Sequence, residues 1–399
     1  MNIFVINSGS SSVKYQLFKM PSVKPVCSGL VERIGLEGSA ITHKVYKGDV
    51  EKVIKKTTDL PDHEAGFKGV ANLLTDKETG VIQNPEEIEA VGHRVVHGGE
   101  SFAATVVITS KVKEEIKKLF HLAPLHNPAN YMGIEVAEKI FAKAKQVAVF
   151  DTAFHQTMPE KAFRYAIPKS FYTDFHIRVY GFHGTSHKYV SEQAAKYLQN
   201  PKAKIISIHL GNGCSIAAID AGKSIDTSMG FGPLSGLIMG TRSGDVDASV
   251  IFHLVDELGY DVEQVKALLN KRSGMQGLTG FSDMRDISKA IAEGDKQAEL
   301  AYEMYAYRIK KYIGSYAAIL NGLDAVVFTA GVGENDANIR IRVCANMSFL
   351  GIILDEGKNN LRSGVIQEIN TNASPVKVSV VPTNEELEIA QQCFELLRD

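Results

Sequence analysis

Ile3-Phe4-Val5-Ile6-Asn7-Ser8-Gly9-Ser10-Ser11 and, in the second half of the chain, Ile205-Ile206-Ser207-Ile208-His209-Leu210-Gly211-Asn212-Gly213 follow one plan. Each reads as a buried strand, a glycine-bearing turn and the start of a second β-rich run. Two readings account for the likeness: duplicated domains, or separate hairpins that share turn chemistry. Outward from these stretches, short β-branched runs alternate with amphipathic segments, the pattern of an α/β protein whose buried strands are covered by helices. Six runs read as strands, Ile3–Ile6, Ala90–His93, Gln146–Phe150, Ile205–Leu210, Asp324–Thr329 and Val376–Val381, each followed by glycine or polar residues. A helix is expected to open at Asn127-Pro128, with Asn127 as N-cap and Pro128 at N1, and another near Thr185-Ser186 with Val190, Ala194 and Tyr197 on one face.

The 399 residues carry 44 Lys+Arg against 46 Asp+Glu and are 44% hydrophobic, enough to bury a large core in two domains. A net charge of -2 offers no basic surface for nucleic acid or anionic lipid. No apolar run approaches the roughly 18 to 20 residues that span a bilayer, and Met1–Ile6 lacks the basic and apolar regions of a signal peptide. Cys27, Cys214, Cys344 and Cys393 lie far apart with no CxxC pair, which suits reduced thiols in a cytoplasm, without disulfide or zinc ribbon.

Open α/β sheets bind ligands at the carboxyl ends of their strands, and the unusual residues of this chain gather there. The first strand runs into Asn7-Ser-Gly-Ser-Ser-Ser-Val-Lys14, a turn of hydroxyls, free backbone N–H groups and one ammonium that suits phosphate, although no GxxxxGK[ST] loop occurs. His209-Leu-Gly-Asn-Gly213 and Ala330-Gly-Val-Gly-Glu-Asn335 follow two further strands, the latter expected to be a loop leading into a helix near Asp336. Three such stretches point to a nucleotide. Gly230-Phe-Gly-Pro-Leu-Ser-Gly236 is not a dinucleotide fingerprint, because it follows the polar run Ser224–Ser228 and not a buried strand.

Arg242, set in Gly240-Thr-Arg-Ser-Gly-Asp245, can reach a ligand or form a surface ion pair. Gly92-His-Arg-Val-Val-His-Gly-Gly99 ends a strand with one guanidinium and two imidazoles, Asp151 follows another strand, and His183 lies in Tyr180-Gly-Phe-His-Gly-Thr-Ser-His187. A binuclear metallohydrolase built from His93, His97, Asp151, His183 and His187 is disfavoured, since no HExxH occurs and the HxxxH pairs are interrupted by strand-forming or glycine residues. Thr383 and Glu386 have capping-box spacing, which leaves Glu385 either as an exposed first-turn acid or as an oxygen ligand for Mg²⁺.

Together these motifs, with Ser282-Asp-Met-Arg285 and Pro382-Thr-Asn-Glu-Glu386, closely resemble the acetate kinase family of the acetate and sugar kinase/Hsc70/actin superfamily, over practically the whole chain. The resemblance implies two duplicated actin-like ATPase (ribonuclease H-like) domains with an interdomain active-site cleft. The first domain would be 1–150 plus 386–399, with the C-terminal helix returning to it, and the second, nucleotide-binding, 151–385. It further implies a cytoplasmic homodimer that catalyses ATP + acetate ⇌ ADP + acetyl phosphate with Mg²⁺, or Mn²⁺ in its place.

Carried over position by position, Asn7 and Glu385 match the metal site, and Lys14 with His209, Leu210, Gly211, Asn212 and Gly213 the phosphate binders. Asp283, Met284 and Arg285 with Gly331, Val332, Gly333, Glu334 and Asn335 match the adenosine binders. Arg94 would hold the acceptor carboxylate, Asp151 matches the family's catalytic acid, and His183 and Arg242 match its transition-state stabilisers. Val96, Leu125, Phe182 and Pro233 match a small apolar pocket for the methyl group, with His126 beside it.

Joining two anions makes charge neutralisation and in-line positioning the main demands. Acetate, with a pKa of about 4, has no proton for a base to remove at pH 7, so Asp151 is expected chiefly to orient Arg or His groups or metal-bound water. Gly232-Pro-Leu-Ser235 stands where the family more often has Thr-Pro-Leu-Glu, Ala248 where it has Pro, and Gln276–Phe281 is slightly short, which bears on acyl-chain preference. The close alternative is a propionate or butyrate kinase. A conformational ATPase of the same fold has no use for Arg94, Arg242 and His183 about a second anion, and a sugar kinase would need a base and several polar groups.

Overall fold

The chain forms two mixed sheets, seen in a computed structural model that describes residues 1–48 and 50–398. Asp49 and Asp399, the last residue of the 386–399 segment, lie outside the described residues. The strands of the first sheet are β1 (Asn2–Ser8), β2 (Ser12–Lys19), β3 (Pro25–Glu32), β4 (Ala40–Lys47), β5 (Val50–Thr57), β6 (Ala90–Val95), β7 (Val106–Val107) and β8 (Lys145–Phe150), ordered β5-β4-β3-β2-β1-β6-β8-β7. Those of the second are β9 (Lys204–Leu210), β10 (Cys214–Asp220), β11 (Lys223–Thr227), β12 (Ala325–Thr329), β13 (Gln367–Glu368) and β14 (Lys377–Val380), ordered β11-β10-β9-β12-β14-β13. All six expected strands are present within a residue or two of their predicted limits.

A common pattern sits inside both sheets. β1 pairs antiparallel with β2 and parallel with β6, which runs parallel to β8; β9 pairs antiparallel with β10 and parallel with β12, which runs parallel to β14. Two unrelated hairpins would not share parallel neighbours, so duplication explains the repeat. The strands β2 to β5 form an antiparallel meander in which Val13, Tyr15 and Leu17 alternate inward, while β5 is exposed along nearly its whole length. Lysines on such an edge oppose further strand pairing.

The chain divides into two compact units, Met1–Phe154 with Asn384–Asp399, and His155–Thr383. This division puts Asp151 and Glu385 in the first unit. There, alternation along β6 sends successive side chains to opposite faces. Val91 joins a core with Phe4, Ile6, Tyr15, Phe67, Val136 and Phe141, beneath the helices His63–Leu74 and Asn127–Ile140. Gly92 faces the C-terminal helix Glu385–Leu397, and a Cβ there would meet Ile389 at 2.7 Å and Cys393 at 2.8 Å. Only glycine lets that helix lie so close.

Three local expectations are corrected. His126, not Asn127, occupies the N-cap of the helix Asn127–Ile140, and Pro128 is its second residue. The Asn127 side chain instead accepts from His97 N and donates to His97 O, at 3.0 Å each. On the helix Gly184–Tyr197, Val190 and Ala194 are buried, but Tyr197 is exposed. The polar run Ser224–Ser228 falls largely within the edge strand β11, in which Ser224 and Thr227 are buried, and no helix opens at Gly230–Gly236. All four cysteines are free and buried, and among the described residues no helix is long and apolar enough to cross a membrane.

Candidate active site

In the first unit β1, β6 and β8 run parallel, so their carboxyl ends share one edge of the sheet. That edge gathers Asn7, Arg94 and Asp151. Arg94 Nε and Nη2 donate to Asp151 Oδ2 at 2.9 and 2.5 Å, and Nη1 donates to Asn7 Oδ1 at 3.4 Å. The Asp151 side chain is 1% exposed and that of Arg94 21% exposed. Burial works against the Arg94 charge, but Asp151, Glu385 and Glu386 outweigh it and hold its pKa above the ordinary value.

Glu386 does not close a capping box. The N-cap of its helix is Asn384, whose Oδ1 accepts from Leu387 N, and Glu386 pairs with Lys14 at 2.6 Å. Thr383 meets Ser186 through its hydroxyl at 3.0 Å. Lys14 lies across the β1/β2 hairpin from Asn7, which puts its ammonium beside the same cluster. Glu385 is half-buried, not an exposed first-turn acid, and burial raises its pKa, with Arg94 opposing and Asp151 reinforcing the shift. Asn7 offers an amide oxygen and Glu385 a carboxylate, hard donors of the kind a divalent cation takes.

Nearby, Asn130 Oδ1 accepts from Val96 N at 3.1 Å and its Nδ2 donates to Ser8 O at 2.7 Å, tying the ends of β1 and β6 together. Val96 is buried, His126 is half-buried at its helix start, and Leu125 stands 65% exposed.

The second unit builds around the turn between β9 and β10. His183 starts the helix Gly184–Tyr197 with a left-handed φ of 55°, a conformation costly for a side-chain-bearing residue. Its ring stacks on His209 with centroids 4.2 Å apart. A Cβ on Gly213 would lie 3.4 Å from His183 Nε2 and 3.7 Å from Arg242 Nη1, so both cationic or proton-bearing groups flank this glycine. Arg242 Nη1 donates to Pro233 O at 2.9 Å, and burial lowers the Arg242 pKa, with only Cys214 opposing. Pro233 thus touches Arg242 through its carbonyl, while Phe182 is buried and accepts from His155 through its own carbonyl.

A cavity of about 1060 Å³ opens beside this turn. Gly211, Asn212, Asp283, Met284, Arg285, Gly331, Val332 and Asn335 of the expected nucleotide set line it; His209, Leu210, Gly213, Gly333 and Glu334 do not. Ala330–Asn335 is a helical turn and not a loop, and Glu334 Oε1 accepts from Ala330 N and Thr383 N at 2.9 and 3.0 Å. Glu334 therefore braces the segment. Asp283 caps the helix Met284–Ala292, and bonds from the Arg285 side chain and backbone hold its pKa at about 2.

The histidines do not assemble a metal centre. His93 bonds Gln146, His97 Nδ1 accepts from Gly99 N, and His187 lies between Ser207 and Ser215. Among the described residues no group of three or more His, Cys, Asp or Glu side chains is placed to hold a metal ion. Sequence reading weighed His187 only as a metal ligand and Ser186 only as a helix start, and passed over Ser207 and Ser215, all of which support His183 and His209, as well as Asn360 and Arg362 in the cavity wall. The four-residue spacing of His183 and His187 on a helix was the available signal for the first group.

A sequence profile described as the acetokinase family matches residues 2–391. The acetate kinase of Flavobacterium johnsoniae is 58% identical over 399 residues, covering 100% of both chains. That of Thermotoga maritima is 52% identical over 405 residues, covering 100% of this chain and 99% of the other. Among solved structures, Porphyromonas gingivalis acetate kinase superposes with a TM-score of 0.93 at 46% identity, covering 99% of each chain. A propionate kinase from Francisella tularensis gives 0.91 at 45% identity over 98% of each.

Proposed function

The chain belongs to the acetokinase family, whose members transfer a phosphoryl group to a carboxylate, and from that premise we propose how its residues divide the work between ATP and acetate. The observation that supports this is two separate sets of cationic or proton-bearing groups, one for each anion in this reading: Arg94 at the strand ends of the first unit, His183 and Arg242 about Gly213 in the second. A conformational ATPase would need only the nucleotide set.

In this reading the cavity beside Gly211 and Asp283 takes the adenosine, the backbone of the His209–Gly213 turn takes phosphate oxygens, and His183 and Arg242 neutralise charge that grows in transfer. Arg94 binds the acceptor carboxylate. Asp151, held on Arg94 by two bonds to one oxygen, fixes the plane of the guanidinium and is a positioning residue; an acetate already ionised gives it no proton to take. Asn7 and Glu385 would hold Mg²⁺, which when bound would neutralise phosphate oxygens. Lys14, paired with Glu386, adds charge at the same edge.

The test is acyl phosphate formation from ATP with acetate, propionate and butyrate in parallel, trapped as hydroxamate, with Mg²⁺, Mn²⁺ or a chelator. Acetate should give the highest kcat/KM, and the chelator should abolish turnover. Best turnover of propionate would move the assignment to the kind of kinase found in Francisella tularensis, and ATP loss without hydroxamate would point to a conformational ATPase.

The same proposal includes a cytoplasmic homodimer, in keeping with buried free thiols and an unpartnered apolar helix. The helix Ala248–Asp256 buries none of its residues and exposes Val250, Ile251 and Phe252, the last by 64%. Such a face calls for a partner, and a second copy covering it would bury the apolar side chains symmetrically. Phe252→Asp should convert the dimer to monomer in sedimentation velocity; an unchanged dimer would remove this helix from the interface.

A further inference from the structure

Behind His183 runs a buried chain of hydroxyls and imidazoles. His183 Nδ1 meets Ser215 Oγ at 2.9 Å, Ser215 Oγ meets His187 Nε2 at 2.7 Å, and His187 Nδ1 meets Ser207 Oγ at 2.9 Å. Ser207, Ser215 and His187 are each 0% exposed. The fold makes this chain from three elements: His187 one turn beyond His183 on their helix, Ser207 on β9, and Ser215 on β10 opposite His209 in register.

Burial, reinforced by His155 and His209, keeps the pKa of His187 well below its ordinary value, so His187 is neutral and bears one ring hydrogen. Ser215 has one hydroxyl hydrogen for two imidazole partners. Two head-to-tail arrangements satisfy every group. In one, Ser207 donates to His187, His187 to Ser215, and Ser215 to His183 Nδ1, which leaves the hydrogen of neutral His183 on Nε2. In the other every bond is reversed and Nε2 carries a lone pair. Nε2 faces Gly213 alongside the Arg242 guanidinium, where an anion is expected; a lone pair would repel it, whereas an N–H polarises the whole chain favourably.

We propose that Ser215, backed by His187 and Ser207, is a positioning residue that holds neutral His183 with its hydrogen on Nε2, so that His183 donates to the transferring phosphoryl oxygens whether it is charged or neutral. The inference rests on the reading of His183 as a stabiliser of transfer. When His183 is charged both ring nitrogens carry hydrogen and the help of Ser215 is not needed. The titratable and charged groups around His183 include His209 stacked from β9, His187 beyond Ser215, and Arg242, which itself faces Cys214 on β10.

The experiment compares Ser215→Ala with the parent enzyme from pH 5.5 to 8. The kcat ratio should be near one at the acid end, where His183 is charged, and fall about tenfold as pH rises and His183 loses its charge, with KM values unchanged and Ser215→Thr restoring the ratio. A misfolded or merely loosened site would lower the ratio equally at every pH. A second readout is ¹⁵N imidazole spectroscopy of the ADP complex, with His183 assigned by loss of its signals in His183→Gln. The parent should show the Nε2–H form of neutral His183 and Ser215→Ala a mixture. A pH-independent ratio, or a parent His183 with its hydrogen on Nδ1, would overturn the proposal. The expected spectra in a protein that makes no acyl phosphate would leave the positioning intact and count against the functional reading alone.

Discussion

Arg94→Ala is expected to remove measurable transfer to acetate and to lower the melting temperature together. The guanidinium is bonded to the buried Asp151 carboxylate, and taking away one member of such a pair costs about 3–5 kcal/mol, two to four decades in an equilibrium or rate. The partial exposure of Arg94 argues for the lower end in stability, a fall on the order of 10 °C for a unit of this size. Acetate KM and kcat/KM should carry the catalytic loss. Adding Asp151→Asn removes the stranded charge, so the double variant should regain much of the melting temperature and none of the activity. A single variant that turns over acetate within tenfold of the parent would take Arg94 out of acceptor binding.

Arg242→Ala is expected to lower kcat by about 10³- to 10⁵-fold, the range for removing an arginine that meets charge only as it develops on a transferring phosphate. KM for ATP and acetate should move little, because the ground state makes less use of the group. The protein should stay folded: Arg242 is half-buried, its bond is to the Pro233 carbonyl, and no buried carboxylate is left behind. Arg242→Lys keeps the charge and loses the planar fork, so it should recover only part of the rate. A kcat within tenfold of the parent for Arg242→Ala would assign the stabilisation to His183 and the metal site.

Strand positions and the duplicated plan were legible because a buried parallel strand is a short β-branched run that ends at a functional turn, as at Ile3–Asn7 and Ile205–Gly211. Arg94, Asp151, His209 and Gly213 were found the same way, at the ends of such runs. Helix starts were harder. Asn127 has the ideal capping side chain, but the backbone of His97, far off in sequence, competes for it and wins. The Thr383/Glu386 spacing fits a cap equally well, yet Asn384 caps while Lys14 takes Glu386. Glu334 sits in a motif that the sequence matches to adenosine binding, but its own carboxylate is held by two backbone N–H groups. These are tertiary preferences between equivalent partners, which no local pattern contains.

The first unit carries β1 to β8 ahead of the second unit in the chain and is completed by the helix Glu385–Leu397 after it, whose Ile389 and Cys393 cover Gly92 on β6. A polypeptide emerging from the ribosome therefore has every strand of that sheet available long before its cover exists. One face of β6 stays open while the whole of the second unit is being made, and it closes only once the helix that follows that unit has emerged. Residues translated after the second unit thus decide whether a sheet made before it becomes native.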